Sequence, residues 1–240
     1  MATTPARAAA SASPGPPAFA DRTEAGMLLG AAVRQAIEEF KFDYVERTVV
    51  FAIPRGGVAV AVGVARELNA SLEVIVVRKI GHPQAPEFGL GAIAEGAEPV
   101  FDLSALDESD LAVADLAEVV AQERAELARR VGVYRGTPGL AKEEESARLL
   151  IVVDDGLATG VTARAALRAV RARGGAGART LLAVPVAAEN SLAAIKAEAG
   201  EVVTVVTARR LRSVGEWYDD FSQLTDADVL TLLAAAPIGP

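Results

Sequence analysis

The chain has 240 residues, enough for one substantial core, and 51% of them are hydrophobic. A formal net charge of −8 and no dense Lys/Arg run speak against a nucleic-acid binder and fit a globular protein that handles small molecules. With no cysteine and a single histidine, His82, the chain excludes disulfides, thiolate nucleophiles, zinc–sulfur sites and any metal site built on several imidazoles. A bound metal should therefore be hard and oxygen-liganded, such as Mg²⁺.

No apolar run reaches the roughly 18 residues that cross a bilayer. Residues 1–20 are rich in Ala, Pro and Ser and lack the apolar core of a secretory signal. They predict a disordered tail over 1–22, with a transit peptide as the alternative, since Arg7 is present and no acid precedes Asp21. The expected compartment is the cytoplasm. Residues 23–240 predict one domain, ending in a hood-like segment over 209–240.

Helical spacing of Met27, Leu28, Ala31, Ile37 and Phe40 predicts an amphipathic helix over 24–40. A β-branched run over 48–53 predicts a buried strand, which Pro54-Arg55-Gly56-Gly57 breaks. An Ala/Val-rich helix over 58–68 and a second buried strand over 72–77 complete a βαβ unit, which requires a parallel sheet and a right-handed crossover. Residues 78–96 mix Gly, Pro and scattered apolar residues without a period and predict a long loop, with a short hairpin arm around 90–94. A strand over 99–103, a helix over 109–131 and a linker over 134–146 come next; in the linker, Glu143-Glu144-Glu145 is a solvated turn.

The α/β rhythm then resumes, with strands at 149–153, 180–185 and 202–207 and helices at 160–173 and 190–199. A segment over 209–224 is richer in aromatics and charge. A helix over 226–235, with Thr225 as its N-cap, closes the chain. The fold class is α/β: a doubly wound, mainly parallel sheet with helices on both faces and appendages at both termini.

The chemistry is concentrated after the strand at 149–153. That strand ends at two adjacent carboxylates, Asp154 and Asp155, and ligands of open α/β sheets bind beyond the carboxyl ends of strands. Successive strand residues face opposite ways, so both acids serve one site only if the chain turns, and Gly156 allows the turn. Leu157, Ala158, Thr159, Gly160, Val161 and Thr162 then lead into a helix, offering backbone N–H groups and two hydroxyls to an anion. Two carboxylates beside an anion cradle suit a sugar phosphate.

The stretch 152–162 resembles the phosphoribosyl-pyrophosphate signature of type I phosphoribosyltransferases. The resemblance implies that Asp154 and Asp155 bind the ribose hydroxyls and, through ribose or water, touch Mg²⁺. It implies that Ala158, Thr159, Gly160, Val161 and Thr162 take the 5-phosphate, with Gly156 and Leu157 leading into that loop. Arg55, Gly56 and Gly57 sit where the family has its pyrophosphate loop. Arg78 and Lys79 resemble the basic pair before the family's mobile catalytic loop. Order and spacing agree over roughly 48–207, and the likeness is to the broad group whose acceptor is unassigned. Ala158 departs from members that use 6-oxopurines, which carry an acid there; adenine- and orotate-type members have a small residue.

The implied activity is transfer of a ribosyl phosphate from Mg²⁺–phosphoribosyl pyrophosphate to a nitrogen acceptor, with release of pyrophosphate and Lys79 assisting. The alternative is a sensor of phosphoribosyl pyrophosphate or nucleotides without turnover. The partner is a small molecule, with neither nucleic acid nor membrane, and a homodimer is an assembly the sequence allows. Arg135 is a weaker candidate for the anionic pocket, His82 a solvated loop residue. Trp217 and Tyr218 either stack an aromatic acceptor or dock the C-terminal segment on the core; docking is the simpler account.

Overall fold

A computed structural model describes residues 11–12, 18–40, 48–135, 148–174 and 177–236. In chain order the elements are β1 (Ser11–Ala12), α1 (Arg22–Glu39), β2 (Thr48–Ala52), α2 (Gly56–Leu68), β3 (Ser71–Val74), β4 (Val77–His82), β5 (Ala85–Ala94), β6 (Val100–Phe101), α3 (Leu103–Glu108), α4 (Ala117–Tyr134), β7 (Leu149–Val153), α5 (Val161–Arg173), β8 (Arg179–Ala188), α6 (Glu189–Ala199), β9 (Glu201–Ala208) and α7 (Asp226–Ala234). Short 3₁₀ turns lie at Val113–Leu116 and Val214–Trp217.

The main sheet has the order β1-β9-β8-β7-β2-β3, and every pairing in it is parallel. The central strands β2 and β7 are buried at all five positions, because helices cover both faces and a strand so placed needs no polar side. Alternate residues serve two cores. Val50, Ala52, Leu149, Ile151 and Val153 pack with α1, α2, α4 and α7. Val49, Phe51, Leu150 and Val152 pack with α5 and α6 on the opposite face. The doubly wound class expected from the sequence is the observed one.

Helices α1 and α2 touch backbone to backbone. A Cβ on Gly26 would stand 2.6 Å from the Val60 carbonyl oxygen, and one on Gly63 would stand 2.5 Å from the Gly26 carbonyl carbon. Only glycine permits that approach, and it sets where the first turn of α1 lies.

Three expectations change. Residues 78–96 are not a long loop: β4 and β5 form an antiparallel hairpin, extended by β6 into a three-stranded sheet. Its Gly81 is packed so closely that a Cβ would lie 2.4 Å from the Pro86 carbonyl oxygen, and the pairing shifts register there, which hides the strand period. The helix expected over 109–131 begins later, at Ala117. Asp102 shortens the preceding strand by accepting N–H bonds from Ser104 and Ala105 and so starting α3, while Asp110 (φ 53) separates α3 from the 3₁₀ turn at Val113–Leu116. Residues 18–22, expected inside a disordered tail, belong to the fold: Phe19 is buried and Asp21 caps α1 by accepting from the N–H groups of Thr23 and Glu24. Thr225 does cap α7, reciprocally with Asp228. Most of the linker over 134–146, including Glu143-Glu144-Glu145, lies outside the described residues. Among those described, no helix is long and apolar enough to cross a membrane.

Candidate active site

Strands β2 and β7 are neighbours in register, Ala52 beside Val153, and the ladder continues one step through the Ile53 N–H to the Val153 carbonyl at 2.9 Å. The loops that leave these strands therefore emerge side by side, about 4.8 Å apart. The strand order also reverses here, with β3 on one side of β2 and β7 on the other. This is the switch point at which open α/β sheets bind ligands.

Both loops run straight into helices. Arg55 is the N-cap of α2, follows a cis peptide bond from Pro54, and provides no side-chain cap. Gly160 is the N-cap of α5, with φ 83, and it too brings no side-chain cap. The first N–H groups of two helices, with the positive ends of their dipoles, thus converge on one crevice without a protein side chain to cap them.

Between them lie the acids. Asp154 Oδ1 accepts the Asp155 N–H at 2.9 Å. Asp155 Oδ2 accepts Nε of Arg22 at 2.9 Å, and its carbonyl accepts the Tyr218 hydroxyl at 2.6 Å. Gly57 fits against the end of β7, where a Cβ would lie 2.9 Å from the Val153 carbonyl oxygen. Gly56 is tighter: a Cβ there would lie 1.8 Å from Asp155 Oδ2. These glycines are needed first because the two loops press on each other. Burial and the neighbouring Asp155 push the Asp154 carboxyl well above the usual carboxylate range. Burial also pushes Asp155 up, against the pull of Arg22. Burial, then the charge of Asp155, raises the Tyr218 phenol, which stays a hydroxyl donor.

The loop between β7 and α5 is fastened to the sheet. The Leu157 N–H donates to the Val186 carbonyl at 2.8 Å and its carbonyl accepts from Ala188 at 2.9 Å. Leu157 therefore anchors the loop, its own N–H already committed and its side chain buried. Ser191 of α6 donates its hydroxyl to the Ala158 carbonyl. Thr159 is exposed and Thr162 half-buried, so neither is spent on the core. Val161 is buried as part of the core.

The basic pair stands differently. Arg78 Nε bonds Glu123 of α4 at 2.6 Å, and Lys79 donates to the Glu87 carbonyl inside its own hairpin. Being consecutive on β4, they face opposite ways. His82 Nδ1 accepts the Gln84 N–H at 3.0 Å, a turn contact. Arg135 is drawn to Glu95 at 2.5 Å and Glu73 at 3.5 Å. Trp217 and Tyr218 are buried with Phe19, which is the docking arrangement.

The sequence did not point to Arg22 or Ser191, and it named Tyr218 without its bond to Asp155. Arg22 opens α1 yet reaches Asp155, stacks 3.7 Å from the Phe221 ring centre and bonds the Ser222 carbonyl at 3.0 Å. Its partner is 133 residues away, so no local pattern could reveal it.

Comparison with known proteins agrees with this geometry. The model of the phosphoribosyl transferase domain matches residues 20–228. Two Mycobacterium tuberculosis proteins, MT0597 of strain CDC 1551 and Rv0571c of strain H37Rv, both provisionally named phosphoribosyl transferases, are 36% identical over 218 residues, 91% of this chain. The chain spans about half of those relatives, 47% of their length. The crystal structure of TT1426 from Thermus thermophilus is 39% identical, with a TM-score of 0.69 over 91% of this chain and 98% of that one. A family match over most of the chain, a shared fold and two anion-ready loops around an acid pair lead to one conclusion: the chain belongs to the phosphoribosyl transferase family.

Proposed function

We propose that the chain transfers a ribosyl phosphate from Mg²⁺–phosphoribosyl pyrophosphate to a nitrogen acceptor and releases pyrophosphate. The observation that carries this is the pair of uncapped helix N-termini on either side of two adjacent carboxylates. One ligand with two separate anionic groups and a diol between them fits such a crevice. The 5-phosphate takes the N–H groups at the start of α5 with the hydroxyls of Thr159 and Thr162. Asp154 and Asp155 accept from the ribose hydroxyls. Arg55 and the N–H groups of Gly56 and Gly57 hold the pyrophosphate, and Lys79 neutralises it as its bond to the ribose breaks.

Among the described residues no group of three or more His, Asp or Glu is placed to hold a metal. The donors fit an ion that arrives with the ligand, since Mg²⁺ is commonly bound by one or two carboxylates together with substrate phosphates. Mg²⁺ so bound would offset charge on the leaving pyrophosphate. Carboxylates near the ribose stabilise the positive charge that develops on its ring.

A sensor without turnover is the second reading. It is favoured by Arg78 and Lys79 being engaged with Glu123 and the Glu87 carbonyl and by the hood aromatics being spent on packing. Pyrophosphate release, measured with a panel of purine, pyrimidine and pyridine acceptors beside direct binding of the donor, separates the two. Release with at least one acceptor is expected. Tight donor binding with no release from any acceptor would leave the sensor.

A further inference from the structure

Among the described residues, Arg22 is the one that comes from outside both loops and carries a permanent charge to the acid pair. Its side chain is 11% exposed and that of Asp155 17%, so the pair is largely out of water. Three contacts hold the guanidinium: Nε on Asp155 Oδ2, Nη1 on the Ser222 carbonyl, and its face on the Phe221 ring. The close approach of α1 to α2 at Gly26 and Gly63 delivers it there. Gly56 of the other loop meets the same point, where a Cβ would lie 3.0 Å from Arg22 Nε and 1.8 Å from Asp155 Oδ2. Arg22 therefore stands at the seam between the acid pair and the loop after β2.

A second positive charge on Asp155 has little left to gain. A carboxylate already neutralised by a bonded guanidinium attracts a divalent ion less, and an ion placed there would meet the charge of Arg22 at close range. The carboxylate still has room for a hydroxyl, because its oxygens together offer about four acceptor positions. Nothing else among the described residues makes a metal cluster at this point.

We propose that Arg22 is the resident cation of the acid pair. It holds Asp155 in place and supplies the positive charge there, so a ribose 5-phosphate group binds without a divalent ion at Asp154 and Asp155, and Mg²⁺ enters only with a pyrophosphate. This rests on the phosphoribosyl assignment of the crevice. Arg22 is a positioning residue, acting through Asp155.

The test is calorimetric titration of ribose 5-phosphate, which brings no pyrophosphate, into the full chain with excess chelator and again with excess Mg²⁺. The wild-type chain should bind equally in both. Arg22→Met keeps the apolar stem and removes the charge. In chelator it should bind about tenfold or more weakly, the scale of one charge-assisted contact, and Mg²⁺ should restore part of the loss by taking the vacated carboxylate. Arg22→Lys keeps a charge but not the planar fork; it should stay insensitive to Mg²⁺ at reduced affinity. Thermal melting of each variant confirms folding, and should Arg22→Met not fold, the wild-type and Arg22→Lys arms still decide. A wild-type chain that needs Mg²⁺ for ribose 5-phosphate, or an Arg22→Met variant that binds as tightly as wild type in chelator, would overturn the proposal alone. A wild-type chain that binds no ribose 5-phosphate in either buffer would overturn the phosphoribosyl assignment, and this proposal with it.

Discussion

In the proposed reaction the crevice binds the donor and the β4–β5 hairpin brings Lys79, and the two regions are built differently. The crevice is held by contacts across the whole chain: Arg22 with Asp155, Tyr218 with Asp155, and Leu157 paired alongside Ala187 as an added rung of the sheet. Its acids are largely buried, and Gly56, Gly57 and Gly156 have no spare volume. The hairpin is packed into the core at its base, through Ile80, Leu90 and Ile93, and only its tip is held locally. Residues 83–88 at its tip are exposed, and Lys79 is bonded to a carbonyl only eight residues away. On the proposed roles, the groups that bind are set into the core, while Lys79, needed as a bond breaks, contacts only the exposed arm of its own hairpin and can change that contact at small cost. Changes in the crevice should then affect binding and stability together, and a change at Lys79 should affect turnover alone.

The strongest challenge to that contrast is at the seam of the two loops. Gly56→Val would force a side chain into the Asp155 carboxylate. Overpacking of this kind costs about 1–3 kcal/mol, and binding of both ribose 5-phosphate and pyrophosphate should vanish along with it. Melting temperature and calorimetry on the same sample check this. Binding that survives would mean the loops can separate.

Asp155→Asn should act next. A charge-assisted hydrogen bond contributes about 1.5–3 kcal/mol, so ribose 5-phosphate affinity should fall about 10- to 100-fold while pyrophosphate is spared. Stability should fall too, because Arg22 would keep its largely buried charge without a counterion. Equal weakening of both ligands would place Asp155 in the fold or on a metal instead of on the ribose.

The acids also set a pH dependence. Both carboxyls are raised by burial in the folded chain. A raised acid contributes stability that is fully present below its unfolded value, near about pH 4, and is lost as pH rises through its folded value. The ligand-free chain should therefore lose that contribution with rising pH. Ribose hydroxyls favour the ionised acids, so affinity should rise over the same window. Inorganic phosphate is the control, since the second ionisation of a phosphate ester falls near pH 6. A ribose 5-phosphate profile that parallels inorganic phosphate would show that the acids do not meet the sugar.

The smallest effects belong to the hairpin. Lys79→Ala should leave donor binding unchanged within about a factor of two and lower the rate of pyrophosphate release, the signature of a group used only in the transition state. Arg78→Ala removes a partly exposed pair with Glu123 and should cost about 1 kcal/mol or less. A large loss of donor affinity in either variant would erase the distinction between the regions.

The same contrast explains what the sequence could reveal. β7 and its loop were legible because a continuous apolar strand, two acids, a glycine and a helix start are all local signals. The start of α7 was legible from Thr225, whose cap is made with Asp228 three residues on. Of the hairpin only the arm around 90–94 was legible, because Gly81, Gly89 and Gly91 interrupt its alternation and its register shifts at Gly81. Nor was the closing of the crevice by Arg22 and Tyr218. Those contacts span 133 and 63 residues, and the first depends on two glycines that let α1 lie on α2, a feature without a sequence period.

The central claim is that one crevice holds two anion sites separated by an acid pair. Its most direct measurement is a titration of ribose 5-phosphate into the chain already saturated with Mg²⁺–pyrophosphate. Two separate sites predict that ribose 5-phosphate still binds, with a stoichiometry of one and affinity within about tenfold of its value alone, and that phosphoribosyl pyrophosphate, which joins the two groups, binds more tightly than either. Competition in which pyrophosphate abolishes ribose 5-phosphate binding would contradict it, because both ligands would then be using a single anion site.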